Sequence, residues 1–169
     1  MQTNDYVILV DEQDNEIGVM EKLRAHELGK LHRAFSVFIF NDKKELLLQQ
    51  RAINKYHSGG LWTNTCCSHP SPNETIKDAA IRRLYEEMGM TCDLKIINNF
   101  IYKTEFENGL IEHEFDYILT GISNSTPQIN KTEVESYKWQ QISEIQNDIN
   151  LNPNQFTTWF KIAIHKAII

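Results

Sequence analysis

Between Glu74 and Gly89 the chain carries a segment whose pattern leaves little choice of conformation. Ile76, Ala80, Leu84 and Met88 recur at i, i+4 steps, so a helix gathers them into one buried stripe. Asn73 or Thr75 can cap its start, and Gly89 stands where a helix ends in a left-handed residue. The spacing predicts a helix over about Glu74–Met88. A helix with a single apolar stripe must lay it on another layer, and the flanking sequence supplies strands for that layer.

Tyr6–Val10 reads as a strand, which the polar Asp11–Glu16 turns back into Ile17–Met20. Helical character follows around Glu21–Leu31. Ala34–Phe40 and Leu46–Gln50 are apolar runs on either side of Asn41-Asp42-Lys43-Lys44-Glu45, the signature of a hairpin. His57–Pro72, rich in Gly, Ser, Asn and Pro, reads as a loop. Further strands are expected near Lys95–Phe106 and Glu112–Thr120, joined by Glu107-Asn108-Gly109, and near Ser136–Gln140. Asn154–Ile168 reads as a closing helix. The fold class expected is α/β (α+β): a mixed β-sheet sandwich flanked by helices, in a single domain.

A chain of 169 residues with 41% hydrophobic and 24% charged residues suits one well-buried soluble domain. Its formal charge of −6 gives no general attraction for nucleic acid or anionic membranes. An anionic ligand would need local cations or a metal. Cys66, Cys67 and Cys92 are odd in number and two are adjacent, which argues for free thiols and a reducing cytoplasm. Met1-Gln2-Thr3-Asn4-Asp5 has no basic start or apolar run of a signal peptide, and the apolar stretch at Val37–Phe40 is too short to span a bilayer. A soluble cytoplasmic protein is expected, with no membrane and no nucleic acid among its partners, as a monomer or weak homodimer.

The polar side of the Glu74–Gly89 helix carries the chemistry. Glu74 is followed by Arg82-Arg83-Leu84-Tyr85-Glu86-Glu87-Met88-Gly89-Met90. Carboxylates on one helical turn offer hard oxygen ligands for Mg²⁺, which neutralises a diphosphate. The plainer alternative is a pair of i, i+4 ion pairs, Arg82–Glu86 and Arg83–Glu87, worth about 0.2–0.5 kcal/mol each on a solvated face. The segment resembles the Nudix box, a Gly and a Glu followed by Arg-Glu-apolar-x-Glu-Glu-x-Gly-apolar. It matches at Glu74, Arg82, Leu84, Glu86, Glu87, Gly89 and Met90, and departs where Ser68 replaces the first Gly and Arg83 the first Glu of the cluster. The Arg83 swap removes a metal-binding carboxylate and adds a cation, which disfavours simple diphosphate hydrolysis.

Three other islands are informative: Glu21-Lys22 with His26 and His32; Trp62-Thr63-Asn64-Thr65-Cys66-Cys67-Ser68-His69-Pro70; and Glu112-His113-Glu114. With the box they resemble the type 1 isopentenyl-diphosphate isomerases of the Nudix superfamily, over nearly the whole chain. The resemblance implies a single Nudix-like isomerase domain over 1–169, with a core at about 32–150 and the N-terminal hairpin and C-terminal helix as family additions. It implies metal ligands at His26, His32, His69, Glu112 and Glu114, for Mn²⁺, Mg²⁺ or Zn²⁺, donors among which affinity alone does not select. Strand alternation independently puts Glu112 and Glu114 on one face and His113 on the other. Because the spacing of His26 and His32 suits ligation poorly within one helix, an irregular segment is expected there. His57, His113 and His165 are read as surface or packing residues.

By the same resemblance Cys67, Glu114 and Tyr102 are the catalytic residues. Lys22, Arg51, Lys55 and Arg83 surround the diphosphate, Trp159 covers the pocket, and a second Mg²⁺ bridges the diphosphate to Glu87. The implied reaction converts isopentenyl diphosphate to dimethylallyl diphosphate through a tertiary carbocation. It needs an acid and a base on opposite faces of the substrate, in a dry pocket with aromatic walls. Cys67 is expected at the carbon near the diphosphate, and Glu114 with Tyr102 at the alkene end. The alternatives are a Nudix hydrolase of a nucleoside diphosphate derivative and a non-catalytic metal-binding protein. No glycine-rich flavin signature is present, so no flavin is expected.

Overall fold

The structure is a computed structural model that describes residues 5–168; Met1–Asn4, part of the segment read above for a signal peptide, lie outside the described residues. Among the described residues are nine strands, four α-helices and one 3-10 turn. In order they are β1 (Tyr6–Val10), β2 (Glu16–Glu21), α1 (Lys22–Leu28), β3 (His32–Phe40), β4 (Glu45–Arg51), β5 (Trp62–Thr63) and β6 (Cys66–Ser68). Then come α2 (Ile76–Met88), β7 (Lys95–Glu105), β8 (Ile111–Ile122), β9 (Val134–Gln141), α3 (Ile142–Leu151), the turn Pro153–Gln155 and α4 (Thr158–Ala167).

β3 is the hub of the sheet. It runs parallel to β8 from His32 opposite Glu114 to Phe40 opposite Ile122, and antiparallel to β6, β1 and β4. Alternate residues of β3 feed opposite layers. Phe35, Val37 and Ile39 join Leu84 and Met88 of α2, while Phe38 joins Phe160, Ala163 and Ile164 of α4. Covered on both faces, β3 reads as a continuous apolar run rather than an alternating one. The mixed sheet between helical layers is the architecture expected from the sequence.

Several local expectations change. The segment 57–72 is not all loop: β5 pairs with β4, and β6 with β3. β3 and β4 pair directly only at Phe40 and Leu46, and polar side chains bond the backbone groups between them. Thr65 Oγ1 donates to Leu47 O at 2.6 Å and accepts from Ile39 N at 2.9 Å, and Asn64 Nδ2 donates to Val37 O at 3.2 Å. Residues that read as loop formers in sequence are thus fully buried substitutes for a ladder. α3 was missing from the sequence reading, because one buried residue, Ile145, gives it little periodic signal. α1 stops at Leu28, so His26 sits in a helix rather than an irregular segment; Gly29, at φ 62°, ends it before His32 begins β3.

α2 is capped by Thr75, whose side chain accepts from Asp78 N, and ends at Gly89 with φ 62°. Segment 128–130 satisfies the last turn, with Gln128 N donating to Met88 O at 2.8 Å and Asn130 N to Glu87 O at 2.9 Å. A Cβ on Gly89 would meet Gln128 O at 2.6 Å. Gly89→Ala is therefore expected to destabilise by roughly 1–2 kcal/mol from left-handed backbone strain alone, with the clash adding to it. A urea titration of the variant against the parent protein, read by circular dichroism, should show a lower midpoint at unchanged slope.

Candidate active site

The register of three strands assembles the centre. His32 of β3 and Tyr102 of β7 both lie opposite Glu114 of β8. Glu114 Oε2 accepts from Tyr102 Oη at 2.6 Å. Its Oε1 lies 2.9 Å from His69 Nε2 and 3.5 Å from His32 Nε2. One carboxylate therefore joins a phenol on one side to an imidazole cluster on the other.

The imidazoles are oriented from behind. His26 Nδ1 lies 2.8 Å from Lys22 O and His32 Nδ1 lies 2.8 Å from Lys30 O. A carbonyl only accepts, so each Nδ1 carries a proton and each ring turns its Nε2 inward. His26 Nε2 then has no partner although the residue is fully buried, and His32 Nε2 faces His69 Nε2 at 3.2 Å. Ligand atoms of His26, His32, His69 and Glu114 all lie within 4.8 Å of one another. Inward imidazole nitrogens, one of them buried without a partner, and a carboxylate fit a divalent cation.

A second group lies beside the first. His26, His57 and Glu112 also bring ligand atoms within 4.8 Å, all three being buried. Glu112 Oε2 has no partner. The reading of His57 as background is thereby corrected: its ring lies in the centre, with Nε2 3.6 Å from Glu112 Oε1. Nothing in its sequence spacing marked it. His113, by contrast, points away as alternation required, its Nδ1 lying 3.1 Å from Gly29 O.

One cavity is lined by Cys67, His69, Glu112, Glu114, Arg51 and Trp159 among others. Cys67 lies opposite Ser36 in the β3–β6 register. Burial pushes its thiol up to about 12, with Arg51 opposing, so the group is a neutral thiol at neutral pH. Burial would also raise Glu114, but its bonds to His32 and His69 win and hold it ionised. Burial and the Glu114 charge raise Glu112 and Asp116. Asp116 escaped the sequence reading although it continues the Glu112–Glu114 face; Ser36 Oγ donates to its Oδ2 at 2.8 Å.

The cations gather at one end. Arg51 is 9% exposed, lies 5.2 Å over the Trp159 ring, and its Nε is unpartnered. Lys22 binds Asp5 at 2.7 Å, and Lys55 binds Glu133, another residue the sequence reading missed. Arg83 binds Glu86 at 2.7 Å and Glu87 at 2.6 Å. Glu87 also accepts from Gln49 Nε2 at 2.9 Å. The expected i, i+4 pairs both form, and Arg82 additionally grips Glu74 at 2.7 Å. Apart from Gln140 Oε1, the unpartnered buried side-chain polar atoms among the described residues belong to His26, Arg51, Arg83, Glu112, Asp116 and Trp159. Such atoms are uncommon in folded proteins, and Arg51, Arg83, Glu112 and Trp159 all line the one cavity.

A mixed sheet between helical layers, with the Glu74–Met90 segment on its face, is the NUDIX architecture, and the NUDIX domain model matches residues 30–160. Solved structures agree on the fold. A Deinococcus radiodurans protein superposes with a TM-score of 0.81 at 16% identity, over 98% of this chain and 100% of that one. A MutT protein of Methanosarcina mazei gives 0.67 at 18%, over 81% and 92%. Sequence relatives are more specific. An isopentenyl-diphosphate Delta-isomerase of Pectobacterium atrosepticum is 54% identical, over 93% of this chain and 88% of its own length. Isopentenyl-diphosphate Delta-isomerase 2 of Aromatoleum aromaticum is 49% identical, over 97% and 87%. The chain belongs to the isopentenyl-diphosphate Delta-isomerase family of NUDIX-domain proteins.

The buried imidazoles give the metal-free protein a distinctive pH response. Burial holds His69 down to about 4 and His57 down to about 3, against 6.5 for a free imidazole, and lowers His26 as well. As pH falls from 6.5 towards 4 the unfolded chain takes up protons that these three folded imidazoles refuse, so their contribution to stability falls with pH in that window and outweighs the opposite contribution of the two raised carboxyls, Glu112 and Asp116. Chelator-treated protein should show a urea midpoint that drops between pH 6.5 and 4.5. His69→Gln should flatten that dependence.

Proposed function

We propose that the chain works as a single isomerase domain on isopentenyl diphosphate, moving its double bond to give dimethylallyl diphosphate. The observation that carries the mechanism is the Tyr102–Glu114–His69 chain of contacts, with Cys67 on the wall of the same cavity. Lys22, Arg51, Lys55 and Arg83 are assigned to the diphosphate. Trp159 covers the olefin, its ring faced by the Arg51 guanidinium. His26, His32, His69, Glu112 and Glu114 would hold one divalent ion, Mn²⁺, Mg²⁺ or Zn²⁺, and Glu87 would hold a Mg²⁺ for the diphosphate. When bound, these ions would supply charge that neutralises the diphosphate. The cellular setting that fits the free thiols is the cytoplasm.

In this reading Cys67 and Glu114 share one movable proton. The forward reaction starts from the less favoured arrangement, with that proton on Glu114 and Cys67 as the thiolate; Glu114, assisted by Tyr102, then gives the proton to the terminal alkene carbon. The tertiary cation then loses a proton from the carbon nearer the diphosphate to the Cys67 sulfur. That leaves a thiol and a carboxylate, the protonation state favoured by the burial and bonding of the substrate-free site. Resetting the pair requires exchange with water, so solvent hydrogen must enter the product. The buried aromatic residues Phe35 and Trp159 of the cavity wall keep water from capturing the cation meanwhile.

Run in D₂O, the reaction should give deuterated dimethylallyl diphosphate by NMR and release no phosphate. Phosphate release from nucleoside diphosphate derivatives, indifferent to Cys67→Ala, would instead establish the hydrolase. An unchanged substrate spectrum would leave a metal-binding protein without this activity. Cys67→Ala and Glu114→Gln should each lower turnover by at least about 10²–10⁴-fold, the usual weight of a positioned acid or base. Chelation should abolish turnover, and readdition of a divalent metal should restore it.

A further inference from the structure

Of the His26–His57–Glu112 group, the assignments above use His26 and Glu112 and leave His57 unused. His57 is held edge-on by Tyr56 and Trp159, with ring centroids at 4.6 and 5.9 Å, and stacks on Phe106 at 4.5 Å and 14°. Its Nδ1 lies 3.2 Å from Ser58 Oγ, which leaves Nε2 directed at Glu112. His26 and Glu112 each bring an unpartnered buried atom, Nε2 and Oε2, to the same place. His26, His57 and Glu112 are 0%, 8% and 5% exposed, so water does not readily satisfy those atoms. Glu112 and His57 both reach the cavity wall.

We propose that His57, His26 and Glu112 form a second, alternative position for a divalent cation beside the His26–His32–His69–Glu114 position. This rests on the reading of the latter group as a metal site. The two positions are mutually exclusive, because His26 Nδ1 is committed to Lys22 O and Nε2 has a single lone pair. Two imidazoles, one carboxylate and an open coordination position suit Zn²⁺ and Co²⁺ better than Mg²⁺, whose preferred ligands are oxygens. His57 thereby gives this chain a nitrogen donor that tilts the centre towards borderline-soft ions.

The test uses Co²⁺ on the full chain. His69→Gln weakens the first position, and His57→Phe keeps the stacking surface but removes the nitrogen. His69→Gln protein should still bind Co²⁺, and an exchangeable, strongly hyperfine-shifted imidazole N–H signal from His57 should appear in its NMR spectrum. Adding His57→Phe should erase that signal and weaken binding at least tenfold. Unchanged affinity in the double variant would overturn the proposal. So would weakened binding without a shifted His57 signal, which would mean that His57 only positions Glu112. If His57→Phe does not fold, His57→Gln is read by the same two measurements. Failure of the unsubstituted protein to bind Co²⁺, or wild-type affinity in His69→Gln, would instead sink the underlying metal-site reading.

Discussion

The parallel pairing of β3 with β8 is the constraint on which the centre depends. It sets His32 beside Glu114, and the β7–β8 ladder sets Tyr102 on the other side of the same residue. A slip of one residue would send every side chain of β8 to the opposite face. The carboxyls of Glu112, Glu114 and Asp116 would leave the cavity side, and His113 and Phe115 would enter it. The apolar faces guard against this, since Ile118 and Leu119 belong to different helical layers. The packing that stabilises the sheet is therefore what fixes the centre to within a hydrogen-bond length.

The same frame explains which parts were legible in sequence. α2 declared itself, because its stripe, cap and terminal glycine obey local rules that tertiary structure did not override. Alternation likewise separated Glu112 and Glu114 from His113. The Asn64–Thr65 region was opaque, since both residues favour turns and here do the work of backbone groups inside the sheet. His57 was invisible for a different reason. Its place is set by aromatic contacts to Tyr56, Phe106 and Trp159, from three separate parts of the chain. No periodicity encodes such a meeting.

Arg83 shows how one departure from a motif redirects chemistry. Where the box has a glutamate, this arginine ties down Glu86 and Glu87 and reaches Glu133 at 3.5 Å. Two carboxylates that would gather metal for attack by water are thus partly neutralised. The helix still presents an anion-facing surface, but with a fixed guanidinium among its acids. Such an arrangement holds a diphosphate more naturally than it breaks one.

Every cation at that end except Arg51 already has a carboxylate partner: Lys22 has Asp5, Lys55 has Glu133, and Arg83 has three acids. This resolves the tension between a chain of net charge −6 and an anionic substrate. On the proposed assignment a diphosphate would not meet bare positive charge; it would have to displace acids from these lysines and this arginine, so its binding would be an exchange of counter-ions. The gain is then the difference between two charge-assisted contacts, much smaller than either. Arg51 is the exception. Buried over Trp159 with an unpartnered Nε, it is the one cation of the four with no ion-pair partner among the described residues, and on the proposed assignment it would offer the diphosphate a contact with no acid to displace. Trp159 lines the same cavity, so on the proposed assignment that contact would tie the charged end of the substrate to the apolar end, where the proton moves.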